Sequence, residues 1–162
     1  SDEIKQEYLI SKNTHYLEYI NKMDANEILP GALKLLDTLD DLGIKYVLGS
    51  ASKNAPLILK QVGLFNRFAG IVDGNSVSKA KPDPEVFLIG AKKLNLKPKN
   101  CIVFEDAIAG IEAANKANMI SIGIGDKGVL SEADFNFNNL TEINTDFIKE
   151  LMIRKENKEQ RA

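Results

Sequence analysis

The chain has 162 residues, of which 44% are hydrophobic and 27% are charged, and this globular composition excludes a disordered or collagen-like protein. Its 21 Lys and Arg residues against 23 Asp and Glu residues give a net charge of -2, so we expect no nucleic-acid partner. A single Cys and a single His exclude an internal disulfide and a zinc site built from those two residue types. No apolar run approaches the roughly 20 residues of a membrane span, so we expect no membrane partner and a cytoplasmic location.

Apolar residues at helical spacing and short β-rich runs alternate in the first half of the chain. They predict a helix over Asp2–Asn21, a helix between Gly31 and Gly43, a strand over Ile44–Leu48, a helix from Asn54 to Gly63 and a strand over Phe68–Val72. Gly43 is expected to end the second helix in a left-handed cap, the usual place for glycine after a helix.

The alternation continues in the second half. It predicts a helix that Asp83 caps and Pro84 begins, a strand over Cys101–Phe104, a helix over Ile108–Asn118, strands over Ile120–Ile124 and Phe135–Phe137, and a helix over Thr141–Met152. The charged tail over Arg154–Ala162 is expected to be frayed. Alternating strands and helices with short connections predict an α/β fold with a mostly parallel sheet between two helical layers.

Polar and charged residues follow three of the predicted strands. Ser50 and Ser52 come after the first strand, Lys81 comes in the loop after the second, and Glu105 with Asp106 comes directly after the third. Ligands of open parallel sheets bind beyond the carboxyl ends of the strands, so these groups are expected at one edge.

Each group on its own has an ordinary interpretation. Ser50 and Ser52 are typical helix caps, Lys81 is typical of a solvated surface, and Glu105-Asp106 more often cap a helix than hold a metal. Together they suit phosphoryl transfer. Hydroxyls and free helix amides bind phosphate oxygens, a lysine neutralises the moving charge, and adjacent carboxylates hold Mg²⁺.

Three segments carry a resemblance to a known family: Val47–Asn54, Lys81–Phe87, and Val103–Ala107 followed by Gly110–Ala114. They resemble the second, third and fourth motifs of the haloacid-dehalogenase-like (HAD) phosphotransferases, and most of all the β-phosphoglucomutase branch. The resemblance extends over roughly residues 27 to 140. It implies a Rossmann-like HAD core, a sugar-phosphate substrate, Mg²⁺ as cofactor and a monomer when complete.

The resemblance also implies a role for each site residue. Ser50 and the Ala51 amide would hold the transferring phosphate, and Lys81 would neutralise it. Glu105 and Asp106 would coordinate Mg²⁺. The residues that would hold the second, non-reacting phosphate of the substrate are Ser52, Lys53 and Asn54. The complete enzyme would interconvert β-glucose 1-phosphate and glucose 6-phosphate through a phosphoaspartate.

The chain departs from the family in lacking the first motif, an Asp-x-Asp on the first strand, and most of the helical cap. It is therefore expected to be a C-terminal part: residues 1–26 a remnant of the cap, 27–153 the core and 154–162 the tail. By itself it is expected to be inactive. In the resembled fold the missing strand is central, so a gap of about 10 Å would remain between its two neighbours. We expect another piece of chain to fill this gap, for example the protein's own N-terminal segment, or the neighbouring strands to pair directly.

Other functions stay open on the sequence. The nearest is a sugar-phosphate phosphatase of the same superfamily, and another is a non-catalytic phosphate-binding remnant. A phosphoacceptor receiver domain is less favoured, because it too needs an acidic cluster on an early strand. Gly123–Gly128 spells a dinucleotide-binding fingerprint, but no apolar helix follows it.

Overall fold

The computed structural model describes residue 6 and residues 14–159, the last six by their backbone only. The helices are α1 (14–22), α2 (Ala32–Asp41), α3 (Ala55–Gln61), α4 (Glu85–Lys93), α5 (Ile108–Lys116) and α6 (Thr145–Glu159). The strands are β1 (Val47–Gly49), β2 (Gly70–Val72), β3 (Ile102–Glu105), β4 (Ile120–Ile124) and β5 (Phe135–Phe137). Every element predicted within these residues is present; β4 and β5 have the predicted bounds, and the others differ at one end or both.

The first strand is shorter than predicted because residues before it complete the end of α2. Gly43 has φ of +68°, the left-handed conformation expected of a glycine cap. The N–H of Ile44 donates to the carbonyl of Leu39 at 2.8 Å, the long backward hydrogen bond of a Schellman motif. Ile44 therefore belongs to the helix end, and the strand begins only at Val47.

The ends of two helices also differ from the prediction. α4 begins at Glu85 rather than Pro84, although the Asp83 carboxylate still caps it by accepting the N–H of Glu85 at 3.0 Å. The prediction of a frayed tail from Arg154 is wrong as far as Glu159, because α6 continues to that residue. Residues 2–5 and 7–13 of the predicted first helix lie outside the described residues. The division into cap remnant, core and tail stays a prediction.

Helices cover both faces of the strands, which confirms the three-layer α/β fold. On one face, α4 and α5 pack on the strands around a core of small and medium apolar side chains: Ala91, Val103, Ala114, Ala117 and Met119. On the other face, α2 and α6 meet in a cluster of Leu35, Leu39, Ile143 and Ile148. Among the described residues no helix is long and apolar enough to cross a bilayer.

The strands form two parallel sheets instead of one. β1 pairs with β2, while β3, β4 and β5 form a second sheet in that order. Between β1 and β3 lies an apolar cavity of about 330 Å³, called the cleft below, walled by side chains of α2 and α4 such as Leu39 and Phe87. The prediction that β1 and β3 pair directly is therefore wrong. Among the described strands, none pairs with both β1 and β3. β1 packs on α4, and β3 packs on α5.

Candidate functional site

The turn after β1 uses serine hydroxyls to lead the chain into α3. The N–H of Ser50 donates to the carbonyl of Val72 at 2.8 Å, which continues the pairing of β1 with β2 by one residue. The Ser50 hydroxyl then accepts the N–H of Ser52 at 3.1 Å, and the Ser52 hydroxyl accepts the N–H of Asn54 at 3.1 Å. These local hydrogen bonds fix the turn at the carboxyl end of β1.

Lys81 joins the carboxyl ends of the two sheets. Its ammonium forms an ion pair with the Glu105 carboxylate at the end of β3, and it lies 3.5 Å from the carbonyl oxygen of Gly49 at the end of β1. It also lies 4.9 Å from the centre of the Phe87 ring. The Lys81 side chain is 16% exposed and that of Glu105 is 8% exposed, so water screens this pair little.

Ser50, Ala51 and Lys81 line one cavity of about 210 Å³, together with the loop that precedes Lys81. The structure thus brings together the residues predicted to hold the transferring phosphate; their roles stay predictions. The predicted second-phosphate residues, Ser52, Lys53 and Asn54, are not among those that line it. Lys53 is exposed, and its aliphatic stem lies against Gly74.

The two predicted metal ligands have different surroundings. One oxygen of Glu105 pairs with Lys81, and the other accepts the N–H of Ala107 at 3.4 Å. Asp106 is exposed at the same edge. No group of three or more His, Cys, Asp or Glu side chains in the described part of the chain is arranged to hold a metal ion. Any metal here would need further ligands from substrate, water or another segment.

The sequence reasoning missed residues that support this site. Gly110, in the first turn of α5, leaves the space that the Glu105 carboxylate occupies. Lys116, later on α5, donates to the carbonyl of Pro82 at 3.3 Å and so holds the loop next to Lys81. The available signal was a glycine inside a helix, which often marks a close approach of another group.

We predict that Gly110→Ala lowers the free energy of unfolding by about 2 kcal/mol, although alanine favours helix over glycine. An added Cβ would overlap all three carboxyl atoms of Glu105. Glu105 can relieve the overlap by rotating, but the rotation breaks its buried ion pair with Lys81. Urea unfolding followed by circular dichroism measures the effect.

Gly90→Ala on α4 is the matched control. Gly90 is also a buried helical glycine, but an added Cβ there would lie 3.6 Å from a methyl carbon of Val47, an ordinary contact. It should leave stability unchanged or raise it by up to about 1 kcal/mol. Equal effects of the two substitutions would contradict the role given to Gly110.

Comparisons with known proteins show two β-phosphoglucomutases among the proteins that this chain resembles. The chain is 36% identical over 146 residues to the β-phosphoglucomutase of Bacillus subtilis, a match that covers 90% of this chain and 65% of that protein. A crystal structure of β-phosphoglucomutase from Clostridium difficile matches with a TM-score of 0.87 and 38% identity, covering 100% of this chain and 71% of that one.

A phosphatase is also similar. The fructose-1-phosphate phosphatase of Escherichia coli is 38% identical over 76 residues, which cover 47% of this chain and 40% of that protein. The chain therefore spans less than two thirds of the length of either curated relative. The profile of the haloacid dehalogenase-like hydrolases matches residues 2–118, and over that length it shows that the chain belongs to this family.

Proposed function

We propose that the chain is part of a β-phosphoglucomutase-like phosphotransferase, which interconverts β-glucose 1-phosphate and glucose 6-phosphate through a phosphoaspartate. The observation that carries the proposal is the position of Lys81, whose ammonium joins the ends of β1 and β3 and borders the cavity that Ser50 lines. The similarity to two β-phosphoglucomutases supports the choice of substrate. The proposal includes a cytoplasmic location, where cysteine thiols stay reduced.

In this proposal each residue has a role in positioning charge. The Ser50 hydroxyl and the Ala51 N–H bind the oxygens of the transferring phosphate, and Lys81 neutralises them as charge moves to the leaving oxygen. Ser52, Lys53 and Asn54, which directly precede α3, bind the second phosphate of a bisphosphate intermediate.

The residues fit Mg²⁺ as part of its ligand set. Mg²⁺ takes oxygen ligands in octahedral geometry and is usually held by one or two carboxylates with water and phosphate. Exposed Asp106 offers its carboxylate directly, while Glu105 is paired with Lys81 and would have to share its charge. Bound Mg²⁺ would neutralise phosphate oxygens and so stabilise the charge that develops during transfer.

The proposal also assigns an occupant to the cleft. Among the described residues β1 pairs only with β2, and β3 only with β4, so each presents a free backbone edge to the cleft. The carboxyl ends of both strands lie at Lys81 and both strands line the cleft along their length, so they run in the same direction. An apolar strand from the protein's own N-terminal segment, running parallel to both, would satisfy these edges and place its end beside Lys81.

A phosphate-release assay on the longer polypeptide separates the candidate functions. A mutase converts β-glucose 1-phosphate to glucose 6-phosphate with little inorganic phosphate, while a sugar-phosphate phosphatase releases one phosphate for each substrate consumed. The phosphatase is the second candidate because of the Escherichia coli relative. Binding of sugar phosphate without either product would instead favour a non-catalytic remnant.

A further inference from the structure

The loop that carries Lys81 is closed by one carboxylate. Glu85, at the start of α4, accepts the backbone N–H of Ser78 at 2.9 Å and that of Lys79 at 2.7 Å. The Ser78 hydroxyl donates to the same carboxylate, at 3.1 and 3.0 Å from its two oxygens. Three donors from two adjacent residues therefore converge on a single side chain and hold the loop against the helix.

A second carboxylate fixes the other side of Lys81. Asp83 accepts the N–H of Glu85 through its side chain at 3.0 Å and donates its own N–H to the carbonyl of Ala80 at 3.0 Å. Lys81 thus lies between two anchored points, Lys79 before it and Asp83 after it. The loop has little freedom to carry the ammonium away from the strand ends.

Glu85 acts on the site indirectly. Ser78 and Lys79 border the Ser50–Lys81 cavity, but Glu85 is not among the residues that line it. The N–H of Lys79 and then the donors of Ser78 hold the pKa of Glu85 below its usual value. The carboxylate is therefore fully ionised at neutral pH, where its hydrogen bonds to backbone N–H groups are strongest.

We propose that Glu85 is a positioning residue, whose carboxylate holds the 78–81 loop so that the Lys81 ammonium reaches the ends of β1 and β3. The inference deepens the proposed function, on which it rests only where it treats Lys81 as a phosphate-binding group. The position of Lys81 itself can be tested without phosphate.

The first experiment measures how fast an amine-directed acylating reagent modifies Lys81 in the full chain, by mass spectrometry of its peptides. In the wild type the buried pair with Glu105 protects the amine. Glu85→Gln keeps the shape of the side chain but removes its charge, and the Lys81 modification rate should rise about tenfold. Lys149, exposed on α6, is the internal reference and should not change. The control variant is Glu150→Gln, which removes an exposed carboxylate next to Lys149 on α6.

Two further variants keep the experiment decisive. Glu85→Asp retains the charge on a shorter side chain and should restore part of the protection. If Glu85→Gln does not fold, Ser78→Ala removes one donor to the same carboxylate and should raise the rate by a smaller factor. A Lys81 rate equal to that of the wild type in the folded variants would overturn the proposal.

The second experiment measures the affinity for inorganic phosphate by calorimetry. Glu85→Gln should weaken it about tenfold, but should cause no further loss when Lys81 is already Met, because both changes then remove the same contribution. Additive losses would mean that Glu85 does not act through Lys81. If the folded wild type binds no phosphate, the proposed function fails, while the modification rates still decide the role of Glu85.

Discussion

Lys81→Met is expected to weaken phosphate binding about 100-fold without abolishing it, and to lower the free energy of unfolding by about 3 kcal/mol. The substitution keeps most of the apolar stem against Phe87 but removes the ammonium. Glu105, whose side chain is only 8% exposed, then keeps a buried negative charge without its cation. Leaving one partner of a buried pair alone costs far more than the pair contributes when intact. Urea unfolding and phosphate calorimetry measure the two effects.

Lys79→Met is the matched control two residues away. Lys79 is 70% exposed and lies 3.7 Å from Asp83, so its loss should cost less than about 1 kcal/mol. The double variant Lys81→Met with Glu105→Gln removes the stranded charge and should regain part of the lost stability. If Lys81→Met unfolds at the wild-type urea concentration, the pair does not stabilise the protein as argued.

Residues 1–162 prepared by themselves are expected to turn over no β-glucose 1-phosphate. The proposed reaction passes through a phosphoaspartate on an Asp-x-Asp motif, and residues 1–162 contain no such motif. Loss of a nucleophile removes the covalent pathway itself. The turnover rate should therefore be lower than that of the longer polypeptide by a factor on the order of 10⁴ or more. The measurement is a coupled assay for glucose 6-phosphate on material whose intact mass is known.

A chimera supplies the positive control. The part of the Bacillus subtilis mutase that the match leaves uncovered, joined to this chain, should restore turnover and protect the edges of β1 and β3 from amide exchange. The same chimera, with both carboxylates of the Asp-x-Asp expected in the added part changed to amides, should protect these edges without turnover. Turnover by the unextended chain would contradict both the mechanism and the assignment of the cleft.

The order and type of the elements could be predicted because each depends on local signals. β4 and β5 were predicted to the residue, since turn residues bound their short apolar runs. The end of α2 was less accessible, because Ile44 reads as strand from its side chain but is held by a hydrogen bond to Leu39. Strand pairing is not local at all, and the separation of β1 from β3 depends on how helices pack around the cleft.

For the candidate site too, some features could be predicted from the sequence and others depend on tertiary packing. That Ser50, Lys81 and Glu105 gather at one edge follows from the rule that parallel strands end together, and the structure places them there. The pairing of Lys81 with Glu105 could not be predicted, because it depends on the course of the 78–81 loop. The same is true of Glu85, which reads as an ordinary first-turn acid of α4 until the donors that surround it are known.

The edges that face the cleft also limit which chains can bind there. β1 has three residues and β3 has four, so an incoming strand gains few backbone hydrogen bonds from either. Short edges of this kind discourage indiscriminate strand addition and aggregation. Most of the binding free energy must come from apolar side chains of the incoming strand that fit between α2 and α4. These side chains differ from one segment to another. The cleft should therefore discriminate between extended segments by side-chain shape, in the way a peptide-binding groove does.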